Sequence, residues 1–348
     1  MSGRPAPGQG NRRPVREDAA GVAAVTAAAD TAPALVTAVE DGVDPVAWVA
    51  QDPERVRLLL DRHAAVLLRG FAAGVPELLG VLRPLGGEPL PYRERSSPRT
   101  PLGAGVYTST DHPADQVIAL HNENSYQASY PALLGFHCSV PATAGGGTTL
   151  ADSRRVLARL EPGLVARFVR EGVRYVRNHH PGIGVSWQEA FSTDDRHEVE
   201  TYCAGRGIDM RWLPDGGLHT CQVGPALARH PGTGEQVWFN HAAFFHSGAL
   251  PQELRAALRA RYPDEEDLPH HVTLGDGSPI PEADLAAVRA AYDAETVVEP
   301  WQTGDILLVD NLLAAHGRQR YEGRREVAVA MVGEMDRGLP ETSGAVGR

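Results

Sequence analysis

The sequence predicts a mainly β fold with helical insertions, an antiparallel barrel or jelly roll. Three observations predict it. Short apolar runs that read as strands come in groups, helical patterns fall between the groups, and no regular strand–helix–strand alternation runs through the chain. A doubly wound parallel sheet needs that alternation. The chain has 348 residues and 42% hydrophobic content, enough for one large domain with insertions and a substantial core. Residues 1–20, rich in Pro, Gly and Arg, read as a disordered tail. Residues 21–338 read as one domain, with helical insertions near 153–212 and 247–295, and 339–348 as a flexible end.

The elements follow in order. The Ala-rich stretch 19–32 is read as the end of the tail and the start of a helix. Val56, Leu59 and Leu60 fall on one side of a helix over 53–63, and Pro53 suits its first turn. A strand over 65–68 is closed by Gly70, and a helix over 75–82 ends at Pro84 and Gly86-Gly87. Residues 88–116 have little periodicity. A loop that long either borders a pocket or meanders over the surface. Val117 to Leu120 reads as a strand leading to His121, and Leu133 to Val140 as a second. Three glycines, Gly145 to Gly147, precede the strand Thr148-Thr149-Leu150. Helical patterns cover 153–171 and 193–204, with a strand over 173–176 between them. Pro231-Gly232-Thr233-Gly234 is a turn signal between short strands at 226–229 and 237–239, a hairpin. Helices are expected over 251–261 and 281–294, and strands over 306–309 and 326–332.

Composition excludes several function classes. The net charge of −11 argues against a nucleic-acid partner. All 33 basic residues are arginine, so no lysine is present to form a Schiff base and pyridoxal-phosphate enzymes are excluded. Cys138, Cys203 and Cys221 form no CxxC and suit a reducing compartment. The stretch 19–32 is too weakly hydrophobic for an export signal, and no run nears the roughly 18 apolar residues of a spanning segment. The expectation is a cytoplasmic protein with no membrane partner; the sequence is silent on oligomeric state.

The chemistry starts at His121-Asn122-Glu123. On a strand, residues i and i+2 share a face, so His121 and Glu123 can aim at one point. His316 lies 195 positions further on (316 − 121), after the strand 306–309 and the turn-like Asp310-Asn311. Two histidines and a carboxylate on one face of an ion form the ligand set of non-haem Fe(II) oxygenases. A bare HxE has a plainer reading, a strand-end histidine beside a solvated glutamate. His316 precedes Arg318, Arg320, Arg324 and Arg325. An arginine fork suits the distal carboxylate of 2-oxoglutarate. Strand alternation aims Arg325 inward and Arg324 outward, though either remains a candidate. Thr149 can place a hydroxyl on the same carboxylate, with the glycines allowing close backbone approach. The pairs His179-His180 and His270-His271, and His241 with His246, are read as structural, as are His230 and Trp238. Asn124, Ser125 and Tyr126 either touch substrate or pack.

Five stretches together resemble the taurine dioxygenase/clavaminate synthase-like superfamily of Fe(II)- and 2-oxoglutarate-dependent oxygenases. They are YTSTDHPADQVIALHNENSYQASYP (Tyr107 to Pro131), GGGTTLADSRRV (Gly145 to Val156), HPGTGEQVWFNHAAFFH (His230 to His246), LGDGSPI (Leu274 to Ile280) and GDILLVDNLLAAHGRQRYEGRREVAVAM (Gly304 to Met331). Within it the chain most resembles syringomycin-type amino-acid β-hydroxylases of natural-product biosynthesis. The resemblance implies a double-stranded β-helix (jelly roll) core flanked by helices. It implies an iron triad of His121, Glu123 and His316, and a 2-oxoglutarate pair of Thr149 and Arg325. Many relatives carry aspartate where Glu123 stands; the clavaminate synthase branch carries glutamate. Sulfonate-using members carry a second arginine at the position of Val329, so a taurine-like substrate is disfavoured. Halogenases carry a small residue in place of the carboxylate, so Glu123 favours hydroxylation. The implied reaction uses Fe(II), 2-oxoglutarate and O2 on an unactivated C–H of an amino acid or a derivative, free or tethered to a carrier protein. Desaturation or cyclisation with the same cofactors is the alternative. A barrel retained only for binding, and a cupin-type metalloenzyme without 2-oxoglutarate, are the readings from other classes.

Overall fold

The computed structural model of the chain describes residues 13–17, 23–27, 33–97 and 99–337. Two sheets face each other, as a jelly roll requires. The larger has nine strands in the order Arg13–Glu17, Ala23–Ala27, Ala34–Ala38, Ala65–Arg69, Ile306–Asp310, Ser129–Val140, Glu326–Asp336, Val106–Thr108 and Pro101–Gly103. Its pairings are antiparallel except where Ala34–Ala38 meets Ala65–Arg69. The smaller has four strands, Val297–Glu299, Thr148–Asp152, Ala314–Arg318 and Ile118–His121, all antiparallel.

Alternation along the strands builds two cores. Leu307 and Val309 point between the sheets, where Leu134, Phe136, Leu150, Val329 and Met331 meet them. Ile306 and Leu308, one residue out of phase, point the other way, onto the helices Pro53–His63 and Val75–Gly86. A strand buried on both faces reads as a continuous apolar run. Asp52 caps the first helix, accepting from Arg55 N at 3.0 Å, and Pro53 opens it. The second packs close to the sheet at Gly135, where a Cβ would stand 2.8 Å from a Leu82 methyl.

Several sequence expectations need correction. Arg13–Glu17 and Ala23–Ala27 are strands, where a tail and a helix start were expected. The rest of 1–32 and the terminus from 338 on lie outside the described residues, as does Pro98. The helix from Val75 runs through Pro84 to Gly86. Pro84 gives up the bond its N–H would make to the Gly80 carbonyl, but burial of Leu82 and Leu85 in the core holds the last turn, and Arg57 Nη2 donates to the Pro84 and Leu85 carbonyls at 3.1 Å. The pattern over 153–171 is two helices, Ser153–Arg159 and Pro162–Glu171, divided where Pro162 opens the second. The insertions are not purely helical. With Leu218–Gly224 from the link between them, they build a third sheet, in the order Asp209–Trp212, Leu218–Gly224, Val173–His179 and His270–Leu274. This sheet packs on the segment that follows His121. Gln222 Nε2 donates to the Tyr126 carbonyl at 2.8 Å, and the Arg177 guanidinium lies 5.0 Å from the Tyr126 ring centre. Among the described residues, no helix is long and apolar enough to cross a membrane.

Candidate active site

His121 and His316 are Cα partners on adjacent antiparallel strands. The ladder thus sets two histidines 195 residues apart side by side, with ring centres 4.5 Å apart. Glu123 arrives differently from the sequence expectation. The strand ends at His121, and Glu123 lies in the turn beyond it, before Asn124 at φ 56°. Asparagine tolerates that left-handed conformation better than most residues. Asn311 makes the turn hold. Its Oδ1 accepts from Glu123 N at 2.7 Å, and its Nδ2 donates to the carbonyls of Glu123 (2.9 Å) and Pro131 (2.8 Å). Asn122 ties the same turn to the Asn311 carbonyl at 2.7 Å. One potential ligand atom from each of His121, Glu123 and His316 lies within 4.8 Å of the others. Glu123 Oε2 stands 3.7 Å from His316 Nε2.

The electrostatics suit a cation. Burial opposes the charge on Glu123, yet Arg99, His121 and His316 pull its carboxyl down to about 2. Burial holds the imidazoles of His121 and His316 below their ordinary range, His316 well below it. Neutral imidazoles beside an ionised carboxylate are the protonation states a divalent metal demands. His121 Nδ1 is engaged with the Ala119 carbonyl at 2.9 Å, which leaves Nε2 free. His316 Nδ1 is buried without a hydrogen-bond partner. The donor set fits a metal.

Two residues absent from the sequence reading complete the carboxylate's surroundings. The Tyr92 hydroxyl donates to Glu123 Oε1 at 3.0 Å, and Arg99 Nη2 donates to Oε2 at 2.7 Å. Both come from the aperiodic segment 88–116, which therefore borders the site rather than meandering over the surface. Its length was the only signal in the sequence.

Thr149 pairs across the ladder with Gly317, the neighbour of His316. A Cβ at Gly317 would stand 2.6 Å from Thr149 Oγ1 and 2.5 Å from the Ile118 carbonyl. Arg325 lies against Gly146, donating from Nε to its carbonyl at 2.9 Å. Burial, and then Arg318, hold its guanidinium down to about 10. Arg324 is exposed and bonded to Glu326. Arg318 is buried, with its Nη groups on the carbonyls of His112, Pro113 and Gln116.

An aromatic wall flanks His121. The Phe244 ring is 4.6 Å away and the His241 ring 5.8 Å. His241 Nδ1 meets Ser125 Oγ at 2.5 Å, and its backbone N–H donates to the Tyr175 hydroxyl at 3.0 Å. Spacing alone gave His241 no role. It reaches the site on the link between the two insertions, held there by its bonds to Ser125 and to Tyr175 of the third sheet. His230 bridges to Asp310 Oδ2 at 3.0 Å, supporting the turn that carries Asn311. Two cavities of about 270 and 280 Å³ lie on either side of Pro91 and Arg93. Tyr92 lines the first, Asn124 and Gln127 the second.

Comparison with known proteins places these features in a wider set. The model of the taurine catabolism dioxygenase TauD, TfdA family matches residues 28–331. A dapdiamide synthesis protein of Enterobacter agglomerans is 42% identical over 275 residues, 79% of this chain and 83% of its own. A clavaminate synthase-like protein of Arabidopsis thaliana is 30% identical over 285 residues, covering 78% and 82%. The solved structure of PvcB from Pseudomonas aeruginosa superposes with a TM-score of 0.52 at 17% identity, over 95% of this chain and 94% of that one. This last likeness is one of fold.

Proposed function

The chain belongs to the TauD, TfdA family of dioxygenases, and from that premise we propose that His121, Glu123 and His316 hold Fe(II) while Thr149 and Arg325 hold the distal carboxylate of 2-oxoglutarate. The substrate in this reading is an amino acid or a derivative, free or carrier-bound, hydroxylated at an unactivated carbon. The observation that carries it is the convergence of His121, Glu123 and His316, whose potential ligand atoms lie within 4.8 Å of one another. A relative named for dapdiamide synthesis supports a biosynthetic setting.

Bound there, the iron supplies the oxidation, in which O2 and 2-oxoglutarate yield a hydroxylated carbon, succinate and CO2. The chain's own residues set the conditions. The Ala119 carbonyl fixes the tautomer of His121, so Nε2 presents a lone pair. Asn311 and Tyr92 hold Glu123 in place from its backbone and its Oε1. Arg325, its Nε on the Gly146 carbonyl and its Nη1 on Ser109 Oγ at 3.4 Å, keeps Nη2 for an anion, and the Thr149 hydroxyl supplies a further donor. Phe244 and His241 pack beside His121. Glu123 occupies the position that a halide needs, which favours oxygenation.

The test is spectroscopic. Added anaerobically, Fe(II) and 2-oxoglutarate should give a weak visible charge-transfer band that His316→Ala removes. A band unchanged in that variant would rule out the triad. Succinate release, screened over free and carrier-bound amino acids, identifies the substrate.

A further inference from the structure

We propose that Arg99 anchors the substrate through a carboxylate, held on its buried guanidinium beside the triad. The inference deepens the oxygenase reading and rests on it.

Arg99 is 8% exposed. Its Nη2 donates to Glu123 Oε2 at 2.7 Å. Its Nε and Nη1 are buried with no hydrogen-bond partner. The Tyr92 ring lies against it, 4.6 Å from centre to guanidinium carbon. A guanidinium has five N–H donors and no acceptor, and buried donors left unmade are costly. Buried donors without partners also occur on Arg318 (Nε) and Arg337 (Nε and Nη1), but those two place Nη groups on backbone carbonyls, whereas the hydrogen bond of Arg99 goes to the triad carboxylate.

Charge points the same way. With a divalent ion and the 2-oxoglutarate dianion in place, the ion, Arg99 and Arg325 oppose Glu123 and the dianion. One unit of positive charge is left over, before Arg318 is counted. An uncompensated buried charge is strongly unfavourable, and a carboxylate on the substrate reduces it. The planar fork of arginine matches the two oxygens of that group.

A cavity lies close by. Tyr92 bonds Glu123 Oε1 and also lines the cavity of about 270 Å³, together with Phe191, Thr193 and Tyr202. Tyr92 therefore connects the carboxylate to that cavity.

The test uses formate as the smallest carboxylate and formamide as its neutral counterpart. Each is titrated into the anaerobic protein with Fe(II) and 2-oxoglutarate, at constant ionic strength set with chloride. Formate should perturb the visible band saturably, and formamide should not. Arg99→Gln removes a donor on Glu123 as well as the fork, so its band should weaken, and the band that remains should respond to formate with at least tenfold lower affinity. If that variant fails to fold, Arg99→Lys decides. Lysine keeps the charge without the fork, so formate affinity should fall at least threefold. No formate response in the unaltered protein, or an unchanged response in the variants, overturns the proposal. So does a weaker 2-oxoglutarate affinity with formate binding intact, which would assign Arg99 to the cosubstrate. A folded Arg99→Gln protein with no band would assign Arg99 to Glu123 alone. No band in the unaltered protein overturns the oxygenase reading itself.

Discussion

Asn311 is fully buried and joins Glu123 to the core strand through Pro131. Asn311→Ala removes three hydrogen bonds and leaves two carbonyls and one N–H unmatched. The expected loss is about 1–3 kcal/mol of stability per stranded group, less where water enters. Fe(II) affinity should fall about 10- to 100-fold, as it does when a ligand loses its support. Denaturant melts and metal titration measure the two effects. His230 gives a pH dependence. Burial lowers its affinity for a proton, but the hydrogen bond and charge of Asp310, with Asp61 behind, outweigh this and raise its pKa above the ordinary 6.5. A raised folded-state pKa stabilises fully below the unfolded value, and that contribution is lost as pH rises through the folded value. Stability should therefore decline as pH rises from about 6.5 through the raised folded value, and His230→Asn should flatten that decline in melts taken across pH. At this scale the sequence was partly legible. His121, Glu123 and His316 stand out because histidine and carboxylate carry chemistry that few spacings bring together. Arg99 and Tyr92 did not, because nothing local marks a loop residue that will bond a ligand at another point on the chain.

The edge strand Ile118–His121 depends on Gly317. A side chain there meets the Ile118 carbonyl and the Thr149 hydroxyl at once, and backbone cannot yield as a side-chain tip can. Gly317→Ala should push the His121 strand off its neighbour and weaken metal and 2-oxoglutarate binding together, while the core between the sheets stays intact. Parallel titrations of both ligands, with a melting curve, check this. A loss of only one ligand would contradict the shared origin. Strands buried on both faces, such as Ile306–Asp310, were readable from apolar runs, and the hairpin at Pro231 to Gly234 from its turn residues. The short Ile118–His121 strand is only partly buried, so its apolar run signalled a strand without placing it at a sheet edge. The helix through Pro84 misled because burial of Leu82 and Leu85 offsets the one ladder bond that proline forfeits.

At the scale of the whole molecule, a rigid two-sheet core presents the triad and a less regular layer covers it. Leu134 sits fully buried between the sheets. Leu134→Ala should cost about 2–5 kcal/mol, read as a lowered melting temperature with ligand affinities nearly unchanged in the folded fraction. The jelly-roll class was visible in the grouping of strands. The third sheet was not, because Asp209–Trp212 and His270–Leu274 are short and polar, and their pairing with Leu218–Gly224 and Val173–His179 is set by tertiary contact. That same sheet brings His241 and Arg177 to the region of the triad, so what the sequence hid at this scale is largely the cover of the site.

The most direct measurement is a crystal structure of the protein grown anaerobically with Fe(II), with the metal located by its anomalous signal. The account expects one ion bonded to His121, Glu123 and His316 at about 2.0–2.2 Å, the range for nitrogen and oxygen ligands of divalent transition metals. An ion bound elsewhere, or one held by the two histidines while Glu123 stays on Arg99 and Tyr92, would contradict it.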